Sequence, residues 1–120
     1  MIKKEGKFEA TRVGDVLEIT LWGEIDHHNA VAIRGELDAR LYEEHPRKAV
    51  LDLSNIEFMD SSGLGLIMGR YSLMQKLGGE LTVRDPHPRL VKIFQMAGLE
   101  RMVTIETSET SEKSRKEGRT

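Results

Sequence analysis

Two short runs near the start of the chain alternate apolar and polar residues. Lys7 to Val13 reads as one strand. Val16 to Trp22 reads as the next, with Leu17, Ile19 and Leu21 on one face and Val16, Glu18 and Thr20 on the other. Gly14-Asp15 between them supplies a tight turn, so an antiparallel hairpin is expected. Gly23 to Asp26 leads out of it. The period then changes from two to about three and a half: Ala30, Ile33, Leu37 and Leu41 fall on one face of a helix running to about Glu44. Asp26 or Asn29 can cap its start, and Pro46 stops it.

Ala49 to Leu53 is apolar enough for a central strand covered on both faces. Ser54 to Met59 loses the alternation and reads as a connector carrying Ile56 and Phe58. A second helix is expected from Ser62 to about Leu77, with Leu64, Ile67, Tyr71, Met74 and Leu77 as its buried stripe and Gly78-Gly79 as its stop. Glu80 to Arg84 is a strand, and Asp85 to Pro88 a loop. A third helix spans Pro88 to Ala97, with Leu90, Ile93 and Phe94 inward and Gly98 ending it. Arg101 to Glu106 closes as a strand. Of the six methionines, Met68, Met74 and Met96 lie on these helices, where core filling is the usual role.

The order β-β-α-β-α-β-α-β spaces the later helices as crossovers between parallel strands. It predicts an α/β domain: a mixed sheet of four to five strands with helices packed on one side. Residues 1–6 form a lead-in, 7–106 a single domain, and 107–120 a polar tail rich in Ser, Thr, Glu and Lys. That tail offers too little apolar area to offset its ordering entropy, so disorder is expected there.

Composition removes several functions. The 120 residues carry a formal charge of −2, so no global basic field draws nucleic acid or anionic lipid. No run approaches the roughly 18 apolar residues of a membrane span, and Met1 to Gly6 does not resemble a signal peptide. With no cysteine, disulfides, thiolate catalysis and cysteine zinc sites are out, which fits a cytoplasmic protein. His27, His28, His45 and His87 show no metal-ligand spacing, and no cofactor is expected.

The candidate chemistry lies in Asp60-Ser61-Ser62-Gly63, between a strand and a helix. Its simplest reading is helix capping by a serine, with glycine permitting close packing. The second is that Ser61 receives a phosphoryl group. Helix dipole and unpaired N–H groups would favour the new charge by about 1–2 kcal/mol. Repulsion from Asp60 at about 6 Å, with an effective dielectric near 20, would oppose it by about 2–3 kcal/mol per unit pair. The terms nearly cancel, so the fold survives, while a docked partner would meet about two extra negative charges. Asp26 also follows a strand and precedes a helix; loops at the same end of a sheet commonly share one site, which would bring it near Ser61. Gly63-Leu64-Gly65 lacks the ending of a phosphate-cradling loop and the spacing of a dinucleotide motif. The serines also lack nucleophile-elbow spacing.

Phe58-Met59-Asp60-Ser61-Ser62-Gly63-Leu64-Gly65, with Gly69-Arg70-Tyr71, Gly78-Gly79-Glu80 and the upstream Gly23-Glu24-Ile25-Asp26-His27-His28, resembles the signature of bacterial anti-sigma factor antagonists of the STAS domain class. The paired histidines are most similar to the stage II sporulation protein AA type. Phe94 to Leu99 fits the third helix of that class and its ending. The resemblance covers about Lys7 to Glu106. It implies a non-enzymatic switch protein with Ser61 as the phosphorylated residue, and with Asp26, Asp60, Ser62 and Gly63 around it. Ser62 would serve as the cap. The implied partners are an anti-sigma factor that is also a serine kinase, and a serine phosphatase that resets the switch. Neither nucleic acid nor membrane is implied as a partner, and the free protein is expected to be a monomer. A constitutive interaction module of the same fold, or a small nucleotide-binding domain, are the competing readings. Members of the class usually end in a further amphipathic helix, for which residues 106–120 carry no apolar stripe.

Overall fold

The computed structural model describes residues 7–108, so the expected lead-in over 1–6 and most of the expected tail, 109–120, lie outside the described residues. Five strands form one sheet in the order of the chain: β1 (Lys7–Val13), β2 (Val16–Ile25), β3 (Lys48–Met59), β4 (Glu80–Arg84) and β5 (Thr104–Glu106). The β1–β2 hairpin is antiparallel, and every later pairing is parallel. Helices α1 (Ala30–Glu44), α2 (Ser61–Lys76) and α3 (Pro88–Ala97) make the crossovers, and after a 3₁₀ turn at Leu99–Arg101 the last strand starts at Thr104 rather than at the expected Arg101.

One face of the sheet makes the core. Leu17, Ile19, Leu21 and Ile25 of β2 join Ala49, Leu51 and Leu53 of β3 and Leu81 and Val83 of β4, all buried. Ala30, Ile33, Leu37 and Leu41 of α1 cover them as the heptad-like spacing requires, and Leu90 and Phe94 of α3 close the far side. On the other face Arg84 bridges Glu18 and Glu106, each at 3.1 Å. Burial works against its charge, but hydrogen bonds and charge from both glutamates prevail and raise its pKa. These paired side chains keep that side of the sheet polar.

Three expectations need correction. The first concerns residues 54–59, which continue β3 rather than connecting it to the next helix. The register with β2 slips twice, between Thr20 and Trp22 and again between Gly23 and Glu24, and each slip gives β3 one extra residue. Leu53, Ile56 and Met59 therefore all turn toward the core at a spacing of three. That spacing hides the strand from a reading based on strict alternation. Gly23 accommodates the second slip with φ of 89°, a conformation that glycine adopts without steric cost.

The second correction concerns α2. Its buried stripe is Gly63, Leu66, Ile67, Arg70, Leu73 and Met74, whereas Leu64, Tyr71 and Leu77 are only partly buried beside it. Arg70 is 5% exposed at the contact with α1. Its Nε lies 2.8 Å from Asp38 Oδ1, close enough to pair the charges yet off the line a hydrogen bond needs. Burial lowers the Arg70 pKa, Asp38 raises it, and the nearby Arg34 lowers it.

The third correction concerns α3: Ile93 and Met96 point outward, Met96 at 87% exposure, so neither fills the core. Ser108, placed by sequence in the polar tail, is held by Asp85. Its N–H donates to Asp85 Oδ1 at 2.6 Å and its hydroxyl to Oδ2 at 2.5 Å.

Unfolding measurements on three single variants and one double variant check this packing. A Cβ on Gly79 would lie 2.8 Å and 2.9 Å from the carbonyl oxygens of Arg47 and Pro46, which are backbone and cannot swing away. Gly79→Ala should cost about 1–3 kcal/mol in urea unfolding. Gly69→Ala, which meets nothing within 4 Å inside α2, should gain up to about 1 kcal/mol. Asp38→Ala strands a buried cation and should cost about 1–3 kcal/mol, discounted because Asp38 is a third exposed. Adding Arg70→Met should recover most of that loss.

Candidate functional site

The parallel pairing of β2 and β3 ends at Ile25 opposite Met59. The next residue on each strand is an aspartate, Asp26 and Asp60, so the two turns leave the sheet side by side. The Asp60 N–H donates to the Ile25 carbonyl at 3.2 Å and joins them directly. The expectation that Asp26 and the serines share one end of the sheet is met by this geometry.

Each aspartate organises the turn after it. Asp26 Oδ1 accepts from the N–H groups of His28 at 2.9 Å and Asn29 at 3.1 Å, while Asn29 Oδ1 accepts from the Asp26 N–H at 3.0 Å. This reciprocal clamp leads into α1, and Asn29 also donates to the Glu24 carbonyl at 2.7 Å. Both candidate caps of α1 thus act together, at the turn before the helix. His27 and His28 are exposed, with ring centroids 4.2 Å apart. No cluster among the described residues could hold a metal ion.

At α2, Asp60 has extended backbone and accepts the Ser62 N–H at 2.8 Å. The cap is therefore Asp60 and not Ser62, whose side chain is left for the groove beside it. The Gly63 N–H donates to the Asp60 carbonyl at 2.9 Å. Three of the four N–H groups that a helix start leaves open are therefore used, and the fourth belongs to Ser61. Ser61 is the first residue of α2 and is exposed. A Cβ on Gly63 would overlap the Met59 side chain, so this glycine lets the end of β3 pack under the helix.

A groove of about 280 Å³ opens next to Ser61, between the first turns of α1 and α2. His27, Val31 and Arg34 form one wall, and Ser62, Gly65 and Leu66 the other. Sequence reasoning missed Arg34 and the Arg70–Asp38 pair beneath. Arg70 was visible in principle, because it sits three residues after Ile67 and four before Met74 on the apolar stripe. Arg34 carries no such signal; only the packing of α1 against α2 brings it here.

The arrangement has a hydroxyl open to solvent and carboxylates on both sides.

Comparison with known proteins identifies the family. The STAS domain model matches residues 7–113. The anti-sigma F factor antagonist of Paenibacillus polymyxa is 40% identical over 96 residues, covering 80% of this chain and 82% of that protein. The anti-sigma-B factor antagonist of Bacillus subtilis is 30% identical over 89 residues, covering 74% and 80%. The structure of the anti-sigma factor antagonist SpoIIAA in its unphosphorylated form superposes with a TM-score of 0.71 at 28% identity, covering 92% of this chain and 96% of that one. The phosphorylated form of the Bacillus cell fate determinant SpoIIAA gives 0.69 at 28%, covering 90% and 98%. The chain belongs to the STAS domain family.

Proposed function

We propose that this protein is an anti-sigma factor antagonist whose docking surface is switched by phosphorylation of Ser61. The observation that carries the reading is the exposed hydroxyl at the first position of α2, between two strand-end aspartates. The unphosphorylated protein binds its cognate anti-sigma factor through the first turns of α1 and α2, and thereby releases the sigma factor. That anti-sigma factor is also the kinase. The γ-phosphoryl of ATP passes to Ser61 Oγ, and ADP and a proton are released. A serine phosphatase reverses the step by hydrolysis. The whole cycle runs in the cytoplasm.

The geometry sharpens the electrostatics. Most N–H groups at the start of α2 are already bonded, so they offer the phosphate little. The carboxylates of Asp26 and Asp60 push the phosphate outward. The modified side chain therefore stands in solvent, where screening keeps the cost to the fold small. A partner seated over the same helix end removes that solvent and meets about two added charges. A penalty of about 3–4 kcal/mol there lowers affinity by roughly 10²–10³. Similarity to SpoIIAA in both of its forms, with TM-scores of 0.71 and 0.69, supports a switch that keeps its backbone.

Incubation with the cognate anti-sigma kinase and ATP should add one phosphate, read by mass spectrometry, and Ser61→Ala should abolish it. Titration of the partner should show the phosphorylated protein binding at least about 100-fold more weakly. Incorporation into the alanine variant at the wild-type rate would refute the site. Equal affinity of both forms would instead favour a constitutive interaction module, and calorimetric binding of ATP or GTP to the isolated protein would favour a nucleotide-binding domain.

A further inference from the structure

The bulged end of β3 and the start of α3 line a second cavity, of about 290 Å³, with Met59 in its wall. Leu53, Ile56 and Met59 all face inward, but α2 reaches only as far as Met59, where Gly63 receives the side chain. Leu90 and Ile93 of α3 form the opposite wall, and Phe58 stands at the rim with half its surface exposed. The walls are apolar along most of their length. An engineered cavity of about 150 Å³ holds benzene, so this one has room for about eight to twelve carbon atoms.

The polar groups sit together at the start of α3. His87 caps that helix, and its Nδ1 accepts the Arg89 N–H at 3.1 Å. An imidazole that accepts at Nδ1 carries its proton on Nε2 and keeps that donor for another partner. The Arg89 guanidinium is exposed and makes no ion pair or hydrogen bond among the described residues. Glu57 borders the same cavity and has an interaction of its own. An apolar chamber with a guanidinium and an N–H donor at one end matches a molecule with an apolar body and a terminal carboxylate.

We propose that this cavity is a binding site for a small apolar carboxylate, a medium-chain or bicyclic aromatic acid, distinct from the phosphorylation site. The carboxylate pairs with Arg89 and the His87 Nε2–H, and the body lies between Leu53, Ile56, Leu90 and Ile93. This use of the fold is independent of the Ser61 switch, so failure of either leaves the other standing.

Titration of octanoate, 1-naphthoate and 1-octanol into the full-length ¹⁵N-labelled protein tests it. Both acids should shift amides of residues 53–59 and 87–93 in a saturable way. Octanol, which lacks the charge, should bind at least about threefold more weakly than octanoate. Arg89→Gln, a change at an exposed position, should remove that difference while leaving octanol unaffected. Ile93→Trp should fill the chamber and abolish binding of all three. Absence of saturable shifts at about 10 mM ligand, equal binding of octanoate and octanol, or shifts centred elsewhere would overturn the proposal. So would loss of anti-sigma factor binding in Ile93→Trp without acid binding by the wild type, which would make the surface a protein contact.

Discussion

The hydrogen bond from the Asp60 N–H to the Ile25 carbonyl is the joint on which the molecule turns. It is the last link of the β2–β3 pairing and the first fixed point of α2. On one side of it the parallel ladder holds the two strand ends level, so that Asp26 and Asp60 emerge together. On the other side the Asp60 carboxylate holds the Ser62 N–H and sets the direction in which α2 leaves the sheet. Ser61 lies between these two fixed points and projects outward because its neighbours are both committed. Position and exposure of the hydroxyl therefore follow from the sheet register, with no dedicated loop.

The register itself depends on residues that looked unstructured. Had residues 54–59 been a connector, nothing would hold Asp60 against Ile25. Two extra residues in β3 turn the inward spacing from two to three, and Met59 arrives beneath α2 where Gly63 has no side chain to obstruct it. The same Met59 also lines the cavity beside Leu90 and Ile93. One methionine thus touches both the first turn of α2 and a cavity of different chemistry.

Much of this was legible in the sequence. Alternation in β2 and the face Ala30, Ile33, Leu37 and Leu41 gave the hairpin and α1, because each buries a single face. Asp60-Ser61-Ser62-Gly63 marked the helix start by residue type, although aspartate and not serine makes the cap. Features that depend on tertiary register were not legible. A bulged strand loses its period, the Arg70 position mixes charge into an apolar stripe, and Ile93 and Met96 look buried until the tilt of α3 turns them to solvent. The groove walled by Arg34 exists only where two helices meet.

The central claim is that phosphate on Ser61 changes surface charge and not structure. Amide spectra of the protein with and without stoichiometric phosphate, recorded with thermal unfolding of the same samples, test this directly. The account predicts shifts confined to residues 25–30 and 59–66, and a midpoint change within a few degrees. Shifts spreading through β4 and α3, or a fall in midpoint of more than about 10 °C, would contradict it.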